Sequence, residues 1–467
     1  MMGRLLALAM AVALAGCTVV ADPPPPPGGA SGGAPAGEAG TEPTPTRPAP
    51  RPSAEAAAPR TAAEPPLRPR WPSRTMTPVR VFPEVRGLWV VRSSMTSTDE
   101  VRRLVDRAVA GGFNTLFLQV RGRGDAFYRS RWEPRAETVE GGPGFDPLAL
   151  AVEEAHARGM AVHAWVNTHL VWGLGDLPES PDHMVHSHPD WLAVPRALGR
   201  ELHNVHPEDP SYLRRLHEHA RTHTDTQEGI YSSPSHPEVK ERVYAIWMDL
   251  VERYDLDGIH FDYIRFPNAT FDYSRSALVR FRDWVAPRLP PERLRALDGE
   301  YGRNPHAFVE ALPGPWGEFR RAQITGLVER IYHGVKARRP ESIVSAAVFA
   351  DQEDARIHRF QDWPSWMERG FLDVAVPMAY TPDPELYRSQ IRAARRAVGE
   401  GERLWAGVGA YLNGVDGTLG KIDIARAEGA GGVVLFSYDW AVAEGTPPGS
   451  TPFLQRVGAA AFRGNGR

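Results

Sequence analysis

The chain has 467 residues, with 54 basic and 57 acidic side chains and a formal net charge of −3. This even balance forms no basic stripe, so nucleic acid is not an expected partner. Cys17 is the one cysteine of the sequence. A disulfide framework is therefore excluded, and the folded part must be stabilised by burial of an apolar core.

The first 17 residues have the pattern of a bacterial lipoprotein signal peptide. Arg4 makes the start positive, residues 5–12 form a short apolar run, and the Leu-Ala-Gly-Cys sequence of residues 14–17 ends on Cys17. Such a run is too short to span a bilayer. We expect acylation of Cys17 and anchoring to a membrane of the cell envelope on its extracytoplasmic side. An ordinary signal peptide with a chance cysteine is the alternative.

Residues 18–80 have a composition that cannot form a core. Five consecutive prolines (residues 23–27) are followed by Gly, Ala, Ser and further Pro, and hardly any large apolar side chain precedes Leu67. Too little apolar surface can be buried here to offset the entropy of ordering, so the segment is predicted to be a disordered tether. Residues 81–467 remain for the folded domain, a length that suits one barrel with insertions.

Short apolar runs alternate with amphipathic stretches throughout the folded part, which is typical of βα units. Eight strands are predicted, at residues 85–91, 114–120, 161–166, 258–263, 343–349, 372–378, 404–410 and 432–436. Eight such units predict an α/β fold, a (β/α)₈ TIM-type barrel with long loop insertions. A doubly wound open sheet is the alternative. No glycine-rich phosphate loop follows the first strand, so no nucleotide cofactor is expected.

Two connections are too long to be plain loops. Residues 167–236 follow the third predicted strand and are rich in His, Pro, Asp and Trp, and residues 273–316 form a smaller excursion. Loops after barrel strands overhang the C-terminal face, where the active sites of such barrels lie. Both excursions are therefore predicted to wall a cleft.

Residues 257–267 contain the strongest candidate for chemistry. Alternate residues of a strand share one face, so Ile259 and Phe261 are predicted to face the helices, while His260 and Asp262 face the barrel interior. Asp262 ends the strand and is followed in the loop by a tyrosine and an arginine. This carboxylate is placed to act on a ligand. A buried Asp–Arg pair that holds the loop is the structural alternative.

Ten short motifs follow one another in a fixed order along the folded part. They are Arg86-Gly87-Leu88-Trp89, Phe113-Asn114-Thr115, Gln119-Val120-Arg121, Gly124-Asp125-Ala126-Phe127-Tyr128, Phe145-Asp146-Pro147-Leu148, Glu154-Ala155-His156-Ala157-Arg158-Gly159, His163-Ala164-Trp165-Val166-Asn167, His188-Pro189-Asp190-Trp191, His236-Pro237-Glu238-Val239 and the stretch of residues 257–267. Together they resemble the glycosyl hydrolase-like 10 family, formerly domain of unknown function 187, over residues 84–440.

The resemblance implies a TIM-like barrel, an extracytoplasmic location and action on polysaccharide. One branch of the family is implied to cleave peptidoglycan glycan strands stripped of their peptides. The chain departs from the family at two positions that are expected to touch substrate. Thr168-His169-Leu170 replaces a common Pro-Tyr-Arg, and Met378 stands where many members have Gln. Both departures bear on the exact sugar chemistry.

Glycoside hydrolysis usually needs two carboxyl groups. Asp262 is the first candidate, as nucleophile or base, since related barrels place their nucleophile at the end of strand four. Asp351, just past the fifth strand, is the candidate acid, with Glu353 in reserve and Asp125 and Asp439 as further possibilities. A solvated acidic loop is the alternative for the residues around Asp351.

Sugar binding needs aromatic platforms and planar hydrogen-bonding groups. For any one of the aromatic side chains, core packing is the alternative. The predicted substrate-binding residues, most of them at or near strand ends, are Arg121, Asp125, Trp165, Asn167, His260, Tyr263, Arg265, Tyr380 and Tyr438.

Metal and serine hydrolases are not expected. His183, His186 and His188 lack an accompanying carboxylate at helical spacing, and neither His-Glu-x-x-His nor Gly-x-Ser-x-Gly is present. The sequence therefore predicts an envelope-anchored glycoside hydrolase, without cofactor, that acts on glycan strands. A non-catalytic glycan-binding lipoprotein with a degenerate barrel is the alternative. Linkage, retaining or inverting outcome and oligomeric state are left open.

Overall fold

The computed structural model describes residues 77–443 and 451–462. The predicted signal peptide, Cys17 and residues 18–76 of the predicted tether lie outside these residues. Within the described part, the helices lack the combination of length and apolar character that crossing a membrane requires.

Eight parallel strands close into a barrel, which confirms the predicted fold class. Their spatial order is β1-β10-β9-β8-β7-β6-β3-β2, and β4 and β5 form a separate two-stranded antiparallel sheet. The strands are β1 (Val85–Val90), β2 (Thr115–Arg121), β3 (Ala161–Asn167), β4 (Leu170–Trp172), β5 (Ile230–Tyr231), β6 (Gly258–Asp262), β7 (Ile343–Phe349), β8 (Val374–Met378), β9 (Trp405–Gly409) and β10 (Gly432–Phe436).

Helices alternate with the barrel strands, and many of them begin at a capping residue. Asp146, Ser274 and Asp383 each accept a hydrogen bond from a backbone N–H of the first turn. The α-helices are α1 (Thr98–Ala110), α2 (Pro147–Ala157), α3 (Met184–Ser187), α4 (Arg196–Leu202), α5 (Pro210–Thr222), α6 (Pro237–Arg253), α7 (Arg275–Val285), α8 (Pro291–Tyr301), α9 (Ala307–Ala311), α10 (Pro313–Arg338), α11 (Gln352–Ile357), α12 (Trp363–Glu368), α13 (Pro384–Val398), α14 (Gly414–Ala427), α15 (Tyr438–Val442) and α16 (Phe453–Ala461). Short 3₁₀ turns occupy Arg92–Met95, Pro189–Trp191, Ala286–Arg288, Gly401–Arg403 and Ala410–Leu412.

Strand alternation divides the core into two parts. Ile259 and Phe261 of β6 belong to the large cluster between the barrel and the helices. A second cluster, with Trp89, Phe117 and Trp165 among its members, fills the barrel interior. The interior is therefore packed, and the space for a ligand lies at the C-terminal ends of the strands.

The two long connections differ in how they are built. The insertion after β3 contains α3, α4 and α5 and returns to the barrel through β5, which pairs with β4. The excursion after β6 forms α7, α8 and α9 and packs a small apolar cluster of its own around Phe281 and Trp316. The first of the two is thus tied to the strand ends of the barrel.

Among the residues that the structure describes, contacts with the barrel are already present at Thr77, within the segment predicted as tether. The Thr77 hydroxyl donates to Asp255 at 2.6 Å, and the Arg80 backbone N–H donates to Asp257 at 2.8 Å. Asp255 and Asp257 are buried and lie just before β6. Residues 77–80 therefore satisfy acidic groups at the N-terminal end of the strand that carries Asp262.

Removal of residues 77–80 should destabilise the domain. A chain that starts at Val81 should unfold with a free energy about 1–3 kcal/mol lower than a chain that starts at residue 70, because buried carboxylates lose hydrogen bonds. Urea unfolding followed by circular dichroism measures the difference. Equal free energies would mean that water replaces these contacts without loss.

Candidate active site

Asp262 lies at the C-terminal end of β6, the fourth strand of the barrel, and is buried with 7% of its surface exposed. Its Oδ2 accepts a hydrogen bond from Trp165 Nε1 at 3.0 Å, and its Oδ1 accepts one from the backbone N–H of Tyr263 at 2.7 Å. Burial raises the pKa of Asp262 to about 6, although the charge of Arg265 and these two hydrogen bonds act in the opposite direction. The carboxylate is thus held in one orientation and titrates near neutral pH.

His260 lies two residues before Asp262 in β6 and deeper in the barrel interior. Its Nε2 lies 3.0 Å from Trp89 Nε1, and its Nδ1 lies 2.9 Å from Ser345 Oγ. Because an indole N–H can only donate, Nε2 is the acceptor and the proton resides on Nδ1. Burial keeps the pKa of His260 well below its usual range. His260 therefore faces the interior, as predicted, but within the packed core; its contact with substrate stays a prediction.

Tyr263 and Arg265 form the turn that follows Asp262. Tyr263 has a φ of 48°, a left-handed conformation that is uncommon for a bulky residue and occurs preferentially at functional sites. The Arg265 guanidinium lies 4.1 Å from the Tyr263 ring centroid and 5.1 Å from that of Phe349. Arg265 is buried, and its Nε has no hydrogen-bond partner. A cation in this position can hold carboxylates or bind a ligand at the C-terminal ends of the strands, which form the mouth of the barrel.

Arg121 and Asn167 are buried and bind other parts of the protein. The Arg121 guanidinium forms an ion pair with Glu133 at 3.0 Å and donates to the backbone carbonyls of Asn167 and Thr168. The Asn167 amide donates to the carbonyl of Gly122 at 3.0 Å. These side chains tie the ends of β2 and β3 together. Their predicted binding of sugar hydroxyls is untested, and this placement favours a supporting role.

Three partly exposed aromatic rings, which pack on the buried Trp89, form a platform at the other side of the mouth. Tyr380 stacks on Phe436 with ring centroids 5.5 Å apart, and both rings contact Tyr411 and Trp89. Tyr380, Tyr411 and Phe436 are partly exposed and follow or end β8, β9 and β10. Tyr438, also predicted to bind substrate, is instead buried in the layer between barrel and helices. Rings on a strand-end surface can stack on sugar faces.

The four residues considered for the general acid have structural partners or exposed positions. Asp351 is exposed and caps α11 by accepting the N–H groups of Glu353 and Asp354 at 2.9 Å each. Glu353 is exposed on the same helix. Asp439 accepts the Val91 N–H at 2.9 Å and the Ser94 hydroxyl. Asp125 accepts the Arg123 N–H at 2.9 Å. The assignment of the acid to any of these four stays a prediction.

A further carboxylate that the sequence patterns do not single out, Glu228, lies beside Arg265 near the turn that follows Asp262. Glu228 directly precedes Gly229 and β5 in the long insertion, and its side chain is 13% exposed. Its Oε1 lies 3.6 Å from Arg265 Nη2, and its Oε2 accepts a hydrogen bond from the Tyr231 hydroxyl at 2.5 Å. Its negative charge also contributes to the raised pKa of Asp262. The signal available in the sequence was a Glu-Gly pair before a short apolar run, which is weak.

One group of side chains in the described residues has ligand atoms close enough to hold a metal ion. Asp190, His236 and Glu238 offer atoms within 4.8 Å of one another. Glu238 already accepts a hydrogen bond from Trp191 Nε1 at 3.0 Å, and His236 Nε2 lies 3.7 Å from Asp190 Oδ2. The expectation of no metal rested on His183, His186 and His188, and it stays a prediction.

The fold and the mouth define a TIM-barrel protein with a buried carboxylate at the end of the fourth barrel strand and aromatic rings opposite. The chain belongs to the family described as glycosyl hydrolase-like 10, whose model matches residues 84–407. This confirms the resemblance seen in the motifs.

Two bacterial glycosyl hydrolases are related to this chain in sequence. Glycosyl hydrolase YngK of Bacillus subtilis (strain 168) is 25% identical over 320 residues, which cover 64% of this chain and 51% of YngK. Glycosyl hydrolase DigH of Escherichia coli (strain K12) is 27% identical over 290 residues, 58% of this chain and 55% of DigH. The chain thus spans about half the length of these relatives.

Solved glycosidase structures share the fold. The PgaB (BpsB) glycoside hydrolase domain from Bordetella bronchiseptica has a TM-score of 0.53 and 15% identity, covering 76% of this chain and 95% of that domain. The catalytic domain of β-amylase from Paenibacillus polymyxa has a TM-score of 0.52 and 11% identity, covering 81% of this chain and 98% of that domain. At these identities the likeness concerns the fold alone.

Proposed function

We propose that the protein is a glycoside hydrolase that cleaves glycan strands of the cell envelope, in particular peptidoglycan strands without peptides. The observation that carries the proposal is Asp262, buried at the end of the fourth barrel strand and oriented by Trp165. An ionised carboxylate there can stabilise the positive charge that develops on the sugar in the transition state. Membership of the glycosyl hydrolase-like 10 family supports the reaction class.

The direct test is incubation of the protein with purified, peptide-free glycan strands, followed by chromatography and mass spectrometry of the products. Shorter oligosaccharides with new reducing ends should appear. Strands that still carry peptides serve as the comparison for substrate choice. If strands bind but no new reducing end forms with either substrate, the protein is a glycan-binding lipoprotein with a degenerate barrel, which is the alternative function.

The activity should depend on pH through Asp262. The pKa of Asp262 is raised to about 6, and a nucleophile or base must be ionised. We therefore expect the acid limb of kcat/KM to fall about tenfold per unit once the pH drops below about 6. Initial rates on glycan strands measured across this range provide the check. Activity that increases as Asp262 becomes protonated would instead make Asp262 the acid.

We propose further that Cys17 anchors the protein to the cell envelope through a lipid. Cells grown with radioactive palmitate should label the protein, and Cys17→Ala should remove both the label and the membrane association, because one thiol carries the anchor. Fractionation and autoradiography provide the measurement. Label that persists in Cys17→Ala would contradict lipidation at this residue.

A further inference from the structure

We propose that Glu228 is the second catalytic carboxylate of this site and acts as the general acid; the inference rests on the proposed hydrolase function. Hydrolysis requires a proton donor for the leaving oxygen as well as a carboxylate near the anomeric carbon. Asp262 fits the second task, since it ends the fourth barrel strand and its two oxygens are held by N–H donors, Tyr263 N and Trp165 Nε1. The proton donor must therefore lie on another strand, helix or loop.

The long insertion brings Glu228 to the mouth through the small β4–β5 sheet. Leu170 pairs with Tyr231, and Trp172 pairs with Ile230. Gly229 makes this approach possible, because a Cβ at this position would lie 2.0 Å from the Trp172 carbonyl oxygen. The backbone that follows Glu228 is therefore fixed against β4, the continuation of β3, and β3 is the neighbour of β6 in the barrel.

Arg265 lies beside Glu228 and next to the residue that follows Asp262. Its guanidinium lies 3.6 Å from Glu228 Oε1 and 3.4 Å from the Tyr231 hydroxyl, and its side chain packs on Tyr263, the residue after Asp262. The 3.6 Å contact is longer than a hydrogen bond, so the guanidinium does not occupy Glu228 Oε1 with a direct hydrogen bond. Glu228 is part-buried at the mouth, in contrast to the exposed Asp351.

The reaction then needs these two carboxyl groups alone. The proton of the Glu228 carboxyl passes to the glycosidic oxygen as the bond from C1 to that oxygen breaks, and the bonding electron pair leaves with the oxygen. C1 gains a bond either to Asp262 itself, followed by hydrolysis, or to a water whose proton Asp262 takes up. In both cases water is the co-reactant, and the products are two sugar hydroxyl groups.

The test uses Glu228→Gln, which keeps the size of the side chain and an acceptor for the Tyr231 hydroxyl. Two substrates are compared, the glycan strand and a dinitrophenyl glycoside of a short piece of the same glycan. On the strand, kcat should fall roughly 100- to 10,000-fold, which is the contribution of general acid catalysis. On the dinitrophenyl glycoside, whose leaving group needs no proton, the rate should stay within about tenfold of the unchanged protein.

Three further variants complete the test. Glu368→Gln makes the same chemical change at an exposed residue of α12 and should leave both rates unchanged. Asp262→Asn should lose both rates, because its task does not depend on the leaving group. Glu228→Asp, which retains the acid on a shorter side chain, should lose about tenfold on the strand and guards against a Gln variant that fails to fold. Melting curves of all variants are recorded alongside.

The outcomes separate this inference from the proposed function. Equal losses of Glu228→Gln on both substrates, together with a lower melting temperature, would make Glu228 a structural partner of Arg265. Full activity of Glu228→Gln on the strand would also overturn its role, while the hydrolase function stands. If the unchanged protein cleaves neither substrate, the proposed function fails and the catalytic assignment of Glu228 fails with it.

Discussion

Asp262→Asn should lower turnover on glycan strands by roughly a thousandfold or more, which corresponds to about 4 kcal/mol of barrier. Asn keeps the shape of the side chain and removes the negative charge that the transition state requires. Because this charge acts mainly in the transition state, the affinity for the strands should be nearly unchanged. Single-turnover kinetics and a binding isotherm on the same strands measure the two effects. A variant that retains a tenth of the turnover would show that Asp262 is not the key carboxylate.

Asp351→Asn is the matched control for this experiment. Asp351 caps α11, and Asn is an equally good capping residue, so stability and turnover should both stay close to those of the unchanged protein. The same aspartate-to-asparagine change is thereby made at the mouth and on an exposed helix end. A loss of turnover on Asp351→Asn as large as that on Asp262→Asn would restore Asp351 as the acid.

The stability of Asp262→Asn separates catalysis from a structural ion pair. Burial raises the pKa of Asp262 from 3.8 to about 6, so the folded protein holds a proton that the unfolded chain has released between these values. Burial of Asp262 therefore costs no stability below pH 3.8, where the group is protonated in both states. Above about pH 6, where it is ionised in both states, burial lowers the free energy of unfolding by about 3 kcal/mol. Asn removes this penalty but loses one acceptor, worth about 1–2 kcal/mol. At neutral pH the variant should be at least as stable as the unchanged protein.

If Asp262→Asn unfolds at a clearly lower denaturant concentration than the unchanged protein, this expectation is wrong. The negative charge would then be needed to balance Arg265, as in the buried Asp–Arg pair considered from the sequence. Urea unfolding near pH 7 and again near pH 4 distinguishes the two cases, because only the first pH ionises Asp262 in the folded state.

Arg121→Met should destabilise the domain by about 3–5 kcal/mol at neutral pH. Arg121 and Glu133 are both buried and form an ion pair at 3.0 Å, so the variant leaves a carboxylate without its counterion. Burial already raises the pKa of Glu133, an effect that Arg121 opposes. Without Arg121 the group takes up a proton more readily, and the loss of stability should be larger near pH 8 than near pH 5.

A double variant tests the cause. Arg121→Met combined with Glu133→Gln removes both charges and should recover part of the lost stability, though not all of it, because the carbonyls of Asn167 and Thr168 still lack their donor. Urea unfolding of the two single variants and the double variant completes the cycle. An Arg121→Met protein with unchanged stability but a tenfold higher KM would show that Arg121 binds substrate, as expected from the sequence.

The sequence by itself determined the barrel and the position of Asp262 within it. The period of the apolar runs sets which residues form strands, and all eight predicted strands form the barrel with ends that differ by two residues or fewer. Alternation along β6 likewise determines that Ile259 and Phe261 face the helices while His260 and Asp262 face inward. Both are local properties, because each residue's orientation depends on its immediate neighbours in the strand.

Only the tertiary structure decided which inward or strand-end residues are available to a ligand. Arg121 and Asn167 point inward, but their hydrogen-bonding groups are taken by Glu133 and by backbone groups at the ends of neighbouring strands. Tyr438 follows a strand end, yet α15 turns it into the layer between barrel and helices. Such partners come from distant parts of the chain, so the local pattern contains no information about them.

The carboxylate that we propose as the partner of Asp262 likewise depends on the tertiary structure. Asp351 was chosen because it follows a strand end, but an aspartate at that position also caps the helix that begins there. Glu228 lies 34 residues before Asp262 in the sequence and reaches the mouth through the β4–β5 pair and a glycine that tolerates a close backbone approach. An insertion of this length obeys no short-range periodicity, and its path depends on packing against the completed barrel.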